Sequence, residues 1–250
     1  GAQREGVITP NKVLYTTGTL KIPNPYNPSQ FTIFKDNANH GAVDMRKAIA
    51  VSSNVYFYEI GGGFGNQPGL GIANIEKYIR LFGIGSKTGL NFGTELEGTI
   101  PSIAWKAKRF PGDPWRIGDT YNTSIGQYGF QVTPLQMLRG VAAIASRGTL
   151  VTPTILKLTP GQQPQGVQKL PFTDAQYSVV HEGMRMVVTD GTGSALNNPQ
   201  ILVAAKTGTA QIKGNTRVNS WAIGFFPYER PQFAFAVLME DGPKVSSGAT

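Results

Sequence analysis

There is no cysteine in these 250 residues, which excludes a disulfide framework, a thiolate metal site and a cysteine nucleophile. Only 2 histidines occur, too few for a histidine-based metal centre, so neither metal nor cofactor is expected. No apolar run approaches the roughly 20 residues of a membrane-crossing helix, and no signal segment is visible. Acidic residues are scarce, 15 against 23 Lys and Arg, for a net charge of +8. A nucleic-acid binder gathers such charge on one face. The one cluster here is Lys106, Lys108, Arg109 and Arg116, broken by Trp105, Phe110, Pro111 and Trp115, so no nucleic-acid partner is expected. A basic surface toward anionic lipid or an anionic wall polymer remains, beside the plainer reading of charge kept for solubility.

What is abundant is glycine (31) and proline (17), which points to many turns rather than a helical bundle. An apolar fraction of 40% is enough for a core, and the length suits one large domain or two small ones.

Two short stretches carry chemistry. Lys206-Thr207-Gly208-Thr209-Ala210-Gln211 follows the apolar run Ile201-Leu202-Val203-Ala204-Ala205, which sets a lysine, two hydroxyls and a glycine at or near a strand's end. Lysine and hydroxyls suit a carboxylate or a polarised carbonyl, and glycine lets a ligand approach the backbone. Alone, the stretch reads first as an edge strand with a solvated lysine, because Lys-Thr-Gly is short and common by chance. Ser52-Ser53-Asn54 interrupts a helix-like run from Asp44 to Ile60. Alone, Asn54 reads as a helix cap.

Together they are two of the three signatures of penicillin-recognising serine acyl transferases, Lys-Thr-Gly and Ser-x-Asn, the third being Ser-x-x-Lys. The whole chain resembles the transpeptidase domain of class B penicillin-binding proteins of the elongation type, penicillin-binding protein 2. The resemblance runs in order through Gly6 to Thr9, Ser52 to Tyr58, Trp105 to Phe110, Gly118 to Thr120, Ile125 to Gln127, Thr133 to Met137 and Lys206 to Gln211. It departs from the pattern at Tyr128, where the family's Gly-Gln-Gly becomes Gly126-Gln127-Tyr128-Gly129, so the backbone path or the cleft rim is expected to differ there.

No Ser-x-x-Lys occurs in the chain; Thr9 to Lys12, Thr32 to Lys35 and Thr154 to Lys157 are the Thr-x-x-Lys matches, read as chance. In the family the nucleophile opens a helix that ends at about Gly6. The resemblance therefore implies an α+β, β-lactamase/transpeptidase-like fold, an antiparallel sheet flanked by helices. It is expected to be incomplete at both ends, with N-terminal strands, nucleophile helix and C-terminal helix missing. One partial domain over 1–250 is expected, a helical region of about 41–190 carrying Ser52 and Asn54 and a sheet region of about 201–240 carrying Lys206 to Gly208.

The implied activity is peptidoglycan D,D-transpeptidation through a serine acyl-enzyme at D-Ala-D-Ala stem peptides, with β-lactams at the same site. Ser52, Asn54 and Lys206 are the expected catalytic residues. Thr207, Gly208 and Thr209 are expected to bind substrate, with the Thr209 backbone as an oxyanion donor. The fragment alone is expected to be inactive, unless a second chain supplies the missing segment. Implied partners are the stem peptide or its lipid-linked precursor, β-lactams and membrane proteins of cell elongation. The implied location is the extracytoplasmic, periplasmic side of a membrane-anchored bacterial protein. The alternatives are a β-lactam-recognising sensor or hydrolase, or a non-catalytic binding domain on the same fold.

Along the chain, Val13 to Thr17 and Phe31 to Phe34 read as brief strands, with a loop around Pro23, Pro25 and Pro28. Helices are expected from Asp44, over Ile72 to Phe82, over Thr133 to Ala145 and from Thr173, the last two opened by capping boxes. Leu135, Leu138, Ala142 and Ala145 are expected to pack inward. Leu90 to Phe92 and Thr154 to Leu158 read as strand pieces, Glu95 and Glu97 as solvated acids, and 101–132 as one long loop. His181 reads as a satisfied helix residue. Ile201 to Lys206, Val218 to Phe226 and Gln232 to Glu240 read as neighbouring antiparallel strands.

Overall fold

The computed structural model describes residues 1–24 and 26–243, with the Asn215 side chain outside that set. Pro25 falls outside it. Seven α-helices and nine strands make an α+β domain among these residues. Strands β1 (Leu14–Thr16) and β4 (Gly41–Val43) pair antiparallel, as do β2 (Thr19–Asn24) and β3 (Asn27–Lys35). The expected proline loop is thus a hairpin. Pro23 sits opposite Phe31, where the register slips, and a two-stranded ribbon leaves an edge on which a missing N–H costs no ladder bond.

Helices α1 (Met45–Val51) and α2 (Asn54–Gly62) are capped by Asp44 and Ser53, so Asn54 is the first residue of α2 rather than its cap. Helix α3 (Ile72–Leu81) ends before Gly83, as expected. The stretch read as one long loop contains two helices, α4 (Ile103–Arg109) and α5 (Ile117–Ser124). Helix α6 (Pro134–Ala145) opens with the Thr133/Gln136 capping box, and α7 (Asp174–Asp190) with Thr173/Gln176. In α6 the fully buried apolar residues are Val141, Ala143 and Ala145, while Leu135, Leu138 and Ala142 are half-buried, because the helix is packed on more than one side.

Residues Leu90 to Phe92 and Thr154 to Leu158 form bends and irregular chain, not strands. Glu95 is no solvated acid. Its carboxylate takes the backbone N–H groups of Thr88 and Gly89 and the Thr88 hydroxyl at 2.6 to 3.0 Å, and those bonds hold its pKa below the usual carboxylate value. Strands β5 (Thr149–Leu150) and β6 (Gln168–Lys169) close the excursion between α6 and α7.

The C-terminal sheet has order β7–β8–β9, all antiparallel: β7 (Ala204–Ile212), β8 (Arg217–Phe226) and β9 (Phe233–Pro243). Residues 201–203 lie outside β7, so Lys206-Thr207-Gly208 is strand interior rather than strand end. Gly208 faces Trp221 and Lys206 faces Ile223 across the ladder. Val141, Ala145 and Met184 from α6 and α7 pack on Ala204 and Phe225 of the sheet. His181 is buried there, 2.7 Å from the Ile144 carbonyl and with its ring 4.7 Å from that of Phe225, a satisfied core residue as expected. A second core joins α1, α2 and α7 to β1 and β4 through Ala48, Tyr56, Val179, Leu14 and Val43.

At the N-terminus, Val7 N–H reaches the Ala2 carbonyl at 2.9 Å and Gly6 N–H the Gln3 carbonyl at 3.2 Å, with Gly6 at φ +67°. This is a turn closed by a glycine in the left-handed region. Among the described residues no helix is long and apolar enough to cross a membrane.

Candidate active site

Helix α1 ends in a left-handed turn at Ser52, φ 58° and ψ 44°, and Ser53 N–H returns to the Ala48 carbonyl at 3.0 Å. Only glycine takes that conformation without a steric penalty of about 1–2 kcal/mol. The turn aims the Ser52 side chain at the sheet. Across the gap, the Lys206 ammonium donates to Ser52 Oγ at 2.8 Å, joining residues 154 positions apart. It also donates to its neighbour's carbonyl, Thr207 O, at 2.5 Å. Burial lowers its pKa from 10.5 to about 8.

The Ser52–Asn54 turn rests on Asp36, just past the end of β3, whose side chain is wholly enclosed. Asp36 accepts from Ser53 Oγ at 2.7 Å, Asn54 N–H at 2.8 Å and Val55 N–H at 3.0 Å. A carboxylate on the first N–H groups of α2 satisfies donors that the helix cannot. Asn54 Nδ2 donates to the Lys35 carbonyl at 3.3 Å.

The turn after α7 closes the other side. Gly191 lies so near α1 that a Cβ would collide with the Ala50 carbonyl oxygen, and Thr192 N–H bonds that oxygen at 3.2 Å. The hydroxyls of Thr192 and Thr207 then meet at 2.5 Å. Thr209 is exposed beyond them.

Ser52, Asn54, Lys206, Thr207, Gly208 and Thr209 together line one cleft of about 930 Å³. Asn122, Ser124 and Gln127 form the far wall. Tyr128 keeps the glycine-like backbone of the position, φ 64°, so the path survives and the rim gains a ring. That ring meets Trp105 and Trp115 edge-on at 5.7 Å each.

Behind it lies Lys106, 2% exposed, with its ammonium 2.7 Å from Asp119, 3.0 Å from Asp113 and 2.9 Å from the Pro114 carbonyl. Burial alone would lower its pKa, but the hydrogen bonds to Asp119 and Asp113 raise it well above 10.5. Lys106 therefore leaves the basic surface cluster suggested by the sequence. Asp36 and Thr192 escape a reading by motif, and so does the pairing of Lys106 with Asp119, which lie in two separate stretches of the resemblance. Asp36 and Thr192 are single polar residues in turns, and their roles depend on chain that is remote in sequence.

No group of three or more His, Asp or Glu able to hold a metal occurs among the described residues. The site is built from a lysine, hydroxyls, an amide and backbone groups.

A lysine and a serine thus face each other across a cleft between an antiparallel sheet and a helical region. The model of the penicillin binding protein transpeptidase domain matches residues 1–250, and the chain belongs to that family. It is 36% identical over 239 residues to the peptidoglycan D,D-transpeptidase MrdA of Acinetobacter baumannii, covering 86% of this chain and 34% of that protein. The chain thus spans about a third of that relative's length. The Pseudomonas aeruginosa PBP2 in complex with WCK 5153 superposes with a TM-score of 0.81 at 29% identity, over 98% of this chain and 55% of that one. The Helicobacter pylori PBP2 in its complex with MreC gives a TM-score of 0.78 at 31% identity, over 97% and 46%.

Proposed function

We propose that this chain carries the sheet wall and the Ser-x-Asn wall of a peptidoglycan D,D-transpeptidase site. The reading rests above all on the 2.8 Å contact between Lys206 Nζ and Ser52 Oγ. In the reaction, a serine Oγ attacks the penultimate D-alanine carbonyl of a stem peptide. The peptide C–N bond breaks, the terminal D-alanine leaves with a proton on its amine, and an ester remains on the serine. An amine of a second stem peptide then attacks the ester, loses a proton and frees the serine.

In this scheme Thr207 and Thr209 take the terminal carboxylate, with Thr192 fixing the rotamer of Thr207. Gly208 lets the peptide lie close to the strand, and the Thr209 backbone N–H stabilises the developing oxyanion. Lys206 holds positive potential beside Ser52, which relays the amine proton. The Asn54 carbonyl oxygen accepts from the substrate backbone while its Nδ2 stays on Lys35. Since residues 1–250 contain no Ser-x-x-Lys, they bind substrate without becoming acylated. We place the chain on the extracytoplasmic side of a bacterial membrane, with membrane proteins of cell elongation as partners; the Helicobacter pylori PBP2 to which it is similar is complexed with MreC.

The test is binding and labelling. A D-Ala-D-Ala-ended peptide should bind the chain and lose at least about tenfold in affinity on Lys206→Met or Thr209→Val, the scale of a lost charged hydrogen bond. A fluorescent penicillin should leave residues 1–250 unlabelled and should label a protein that also carries the Ser-x-x-Lys segment. Binding indifferent to both substitutions would overturn the reading.

A further inference from the structure

The β2–β3 ribbon rises from the edge of the cleft. Ile33, Phe34 and Lys35 line the cleft at its base, and the Lys35 carbonyl accepts from Asn54 Nδ2 at 3.3 Å and from the Tyr58 hydroxyl at 3.4 Å. Side chains along a strand alternate between its two faces. One face of the ribbon packs inward: Leu20 is buried, and Ile22 and Phe34 join it against Val55, Tyr58 and Tyr121. The register sets the other face, with Lys21 opposite Ile33 and Pro23 opposite Phe31. Phe31 is 52% exposed and Ile33 49%, and every residue of β3 except Phe34 is exposed. At the far end Tyr26 is 96% exposed, next to the exposed Asn27, Ser29 and Gln30.

This outer face carries one sign of charge. From Gly6 to Lys35 the chain has three lysines and no Asp or Glu. Lys12 bonds Gln67 at 2.8 Å, while Lys21 and Lys35 are exposed and have no ion pair among the described residues. Asp36, the next acid, is enclosed beneath the Ser53 turn. Exposed rings, side-chain amides and lysines in a row, without a carboxylate, suit a chain of acetylated amino sugars whose branches bear carboxylates. The rings cover the apolar faces of the sugars, Asn27 and Gln30 donate to and accept from acetamido and hydroxyl groups, and the lysines meet the carboxylates. A lipid surface fits less well, because the end that would enter it carries Asn27, Ser29 and Gln30 instead of an apolar set. The 9 residues of β3 extend roughly 25–30 Å, room for several sugar rings in line.

We propose, resting on the transpeptidase reading, that the outer face of this ribbon holds the glycan strand from which the donor stem peptide hangs. The peptide enters the cleft past Ile33 and Lys35, and its glycan lies along the ribbon toward Tyr26. The bonds from Asn54 and Tyr58 to the Lys35 carbonyl fix the ribbon against the wall that receives the peptide.

The experiment is NMR titration of the 250-residue chain. The probes are a peptide-free tetrasaccharide of alternating N-acetylglucosamine and N-acetylmuramic acid, N-acetylchitotetraose, maltotetraose and diacetyl-L-Lys-D-Ala-D-Ala. Both amino-sugar probes should move the amides of Tyr26, Asn27, Phe31 and Ile33. They should lose roughly three- to tenfold in affinity with Tyr26→Ser or Phe31→Ser, the scale of one aromatic contact. Both rings are exposed, and the side chains that hold the ribbon, Leu20, Ile22 and Phe34, stay in place. Lys21→Gln should weaken the muramic-acid probe about two- to fivefold at low salt and leave N-acetylchitotetraose unchanged. The peptide probe should move Lys206 to Thr209 and ignore all three substitutions. With the peptide bound as expected, three results overturn the glycan assignment alone: amino-sugar binding indifferent to both serine variants, equal binding of maltotetraose, or phosphatidylglycerol vesicles taking the ribbon while the amino sugars do not. If the peptide probe leaves Lys206 to Thr209 unmoved, the transpeptidase reading itself fails, and the glycan assignment with it.

Discussion

Asp36 and Ser53 meet at 2.7 Å, and the same carboxylate holds the next two backbone N–H groups. One side chain thereby fixes the turn that presents both Ser52 and Asn54 to the cleft. Asp36→Asn replaces an all-acceptor group by one with a single acceptor oxygen. It should cost about 1–3 kcal/mol in urea unfolding, the scale of hydrogen bonds to a charged group. The Lys206 side-chain NMR signals should shift in the same variant, because Ser52 loses its fixed position.

Lys206 gives a pH signature. Its pKa is lowered from 10.5 to about 8 by burial. Between those values the unfolded chain holds the proton that the folded chain has released, so stability rises with pH across that window and is lowest below it. The full displacement is on the order of 3 kcal/mol. Denaturation at pH 7 and at pH 9.5 should show part of this rise in the wild type and none of it in Lys206→Met. A lysine titration midpoint above 10 would contradict it.

Ser52 allows strain and chemistry to be separated. Ser52→Ala and Ser52→Gly both delete the hydroxyl, but only glycine accepts φ 58° without penalty. The glycine variant should be the more stable of the two by about 1 kcal/mol in chemical denaturation. Both should weaken binding of a D-Ala-D-Ala peptide alike.

Lys106 and Asp119 form a buried pair at 2.7 Å. Removing either partner leaves a charge with reduced compensation, so Lys106→Met or Asp119→Asn should each cost about 3–5 kcal/mol. The double variant should cost clearly less than the two single effects added together. Equal and additive losses in thermal unfolding would show that the pair does not couple.

The parts of the fold legible in the sequence are those with local signals. Thr133 and Thr173 carry capping boxes, Ile72 to Leu81 has a clean apolar stripe, and β8 and β9 read as apolar runs across a short turn. Helices α4 and α5 were hidden because each spans about two turns, too short for periodicity to show. They are held by Lys106 and Asp119, residues 13 positions apart. The β2–β3 hairpin was masked by its prolines. At the site, Lys206, Thr207, Ser52 and Asn54 stood out by motif. Asp36 and Thr192 did not, since a polar residue in a turn acquires its partner only when the chain folds.

The Thr192–Thr207 hydroxyl bond has a consequence for communication across the cleft. Thr192 hangs from Ala50 by its backbone, and Ala50 lies two residues before Ser52. An anion seated on Thr207 takes the Thr207 hydroxyl proton and so fixes the direction of the shared bond, with Thr192 donating to Thr207. Occupancy is therefore felt at the end of α1 from two directions at once, directly through Lys206 and indirectly through the turn after α7.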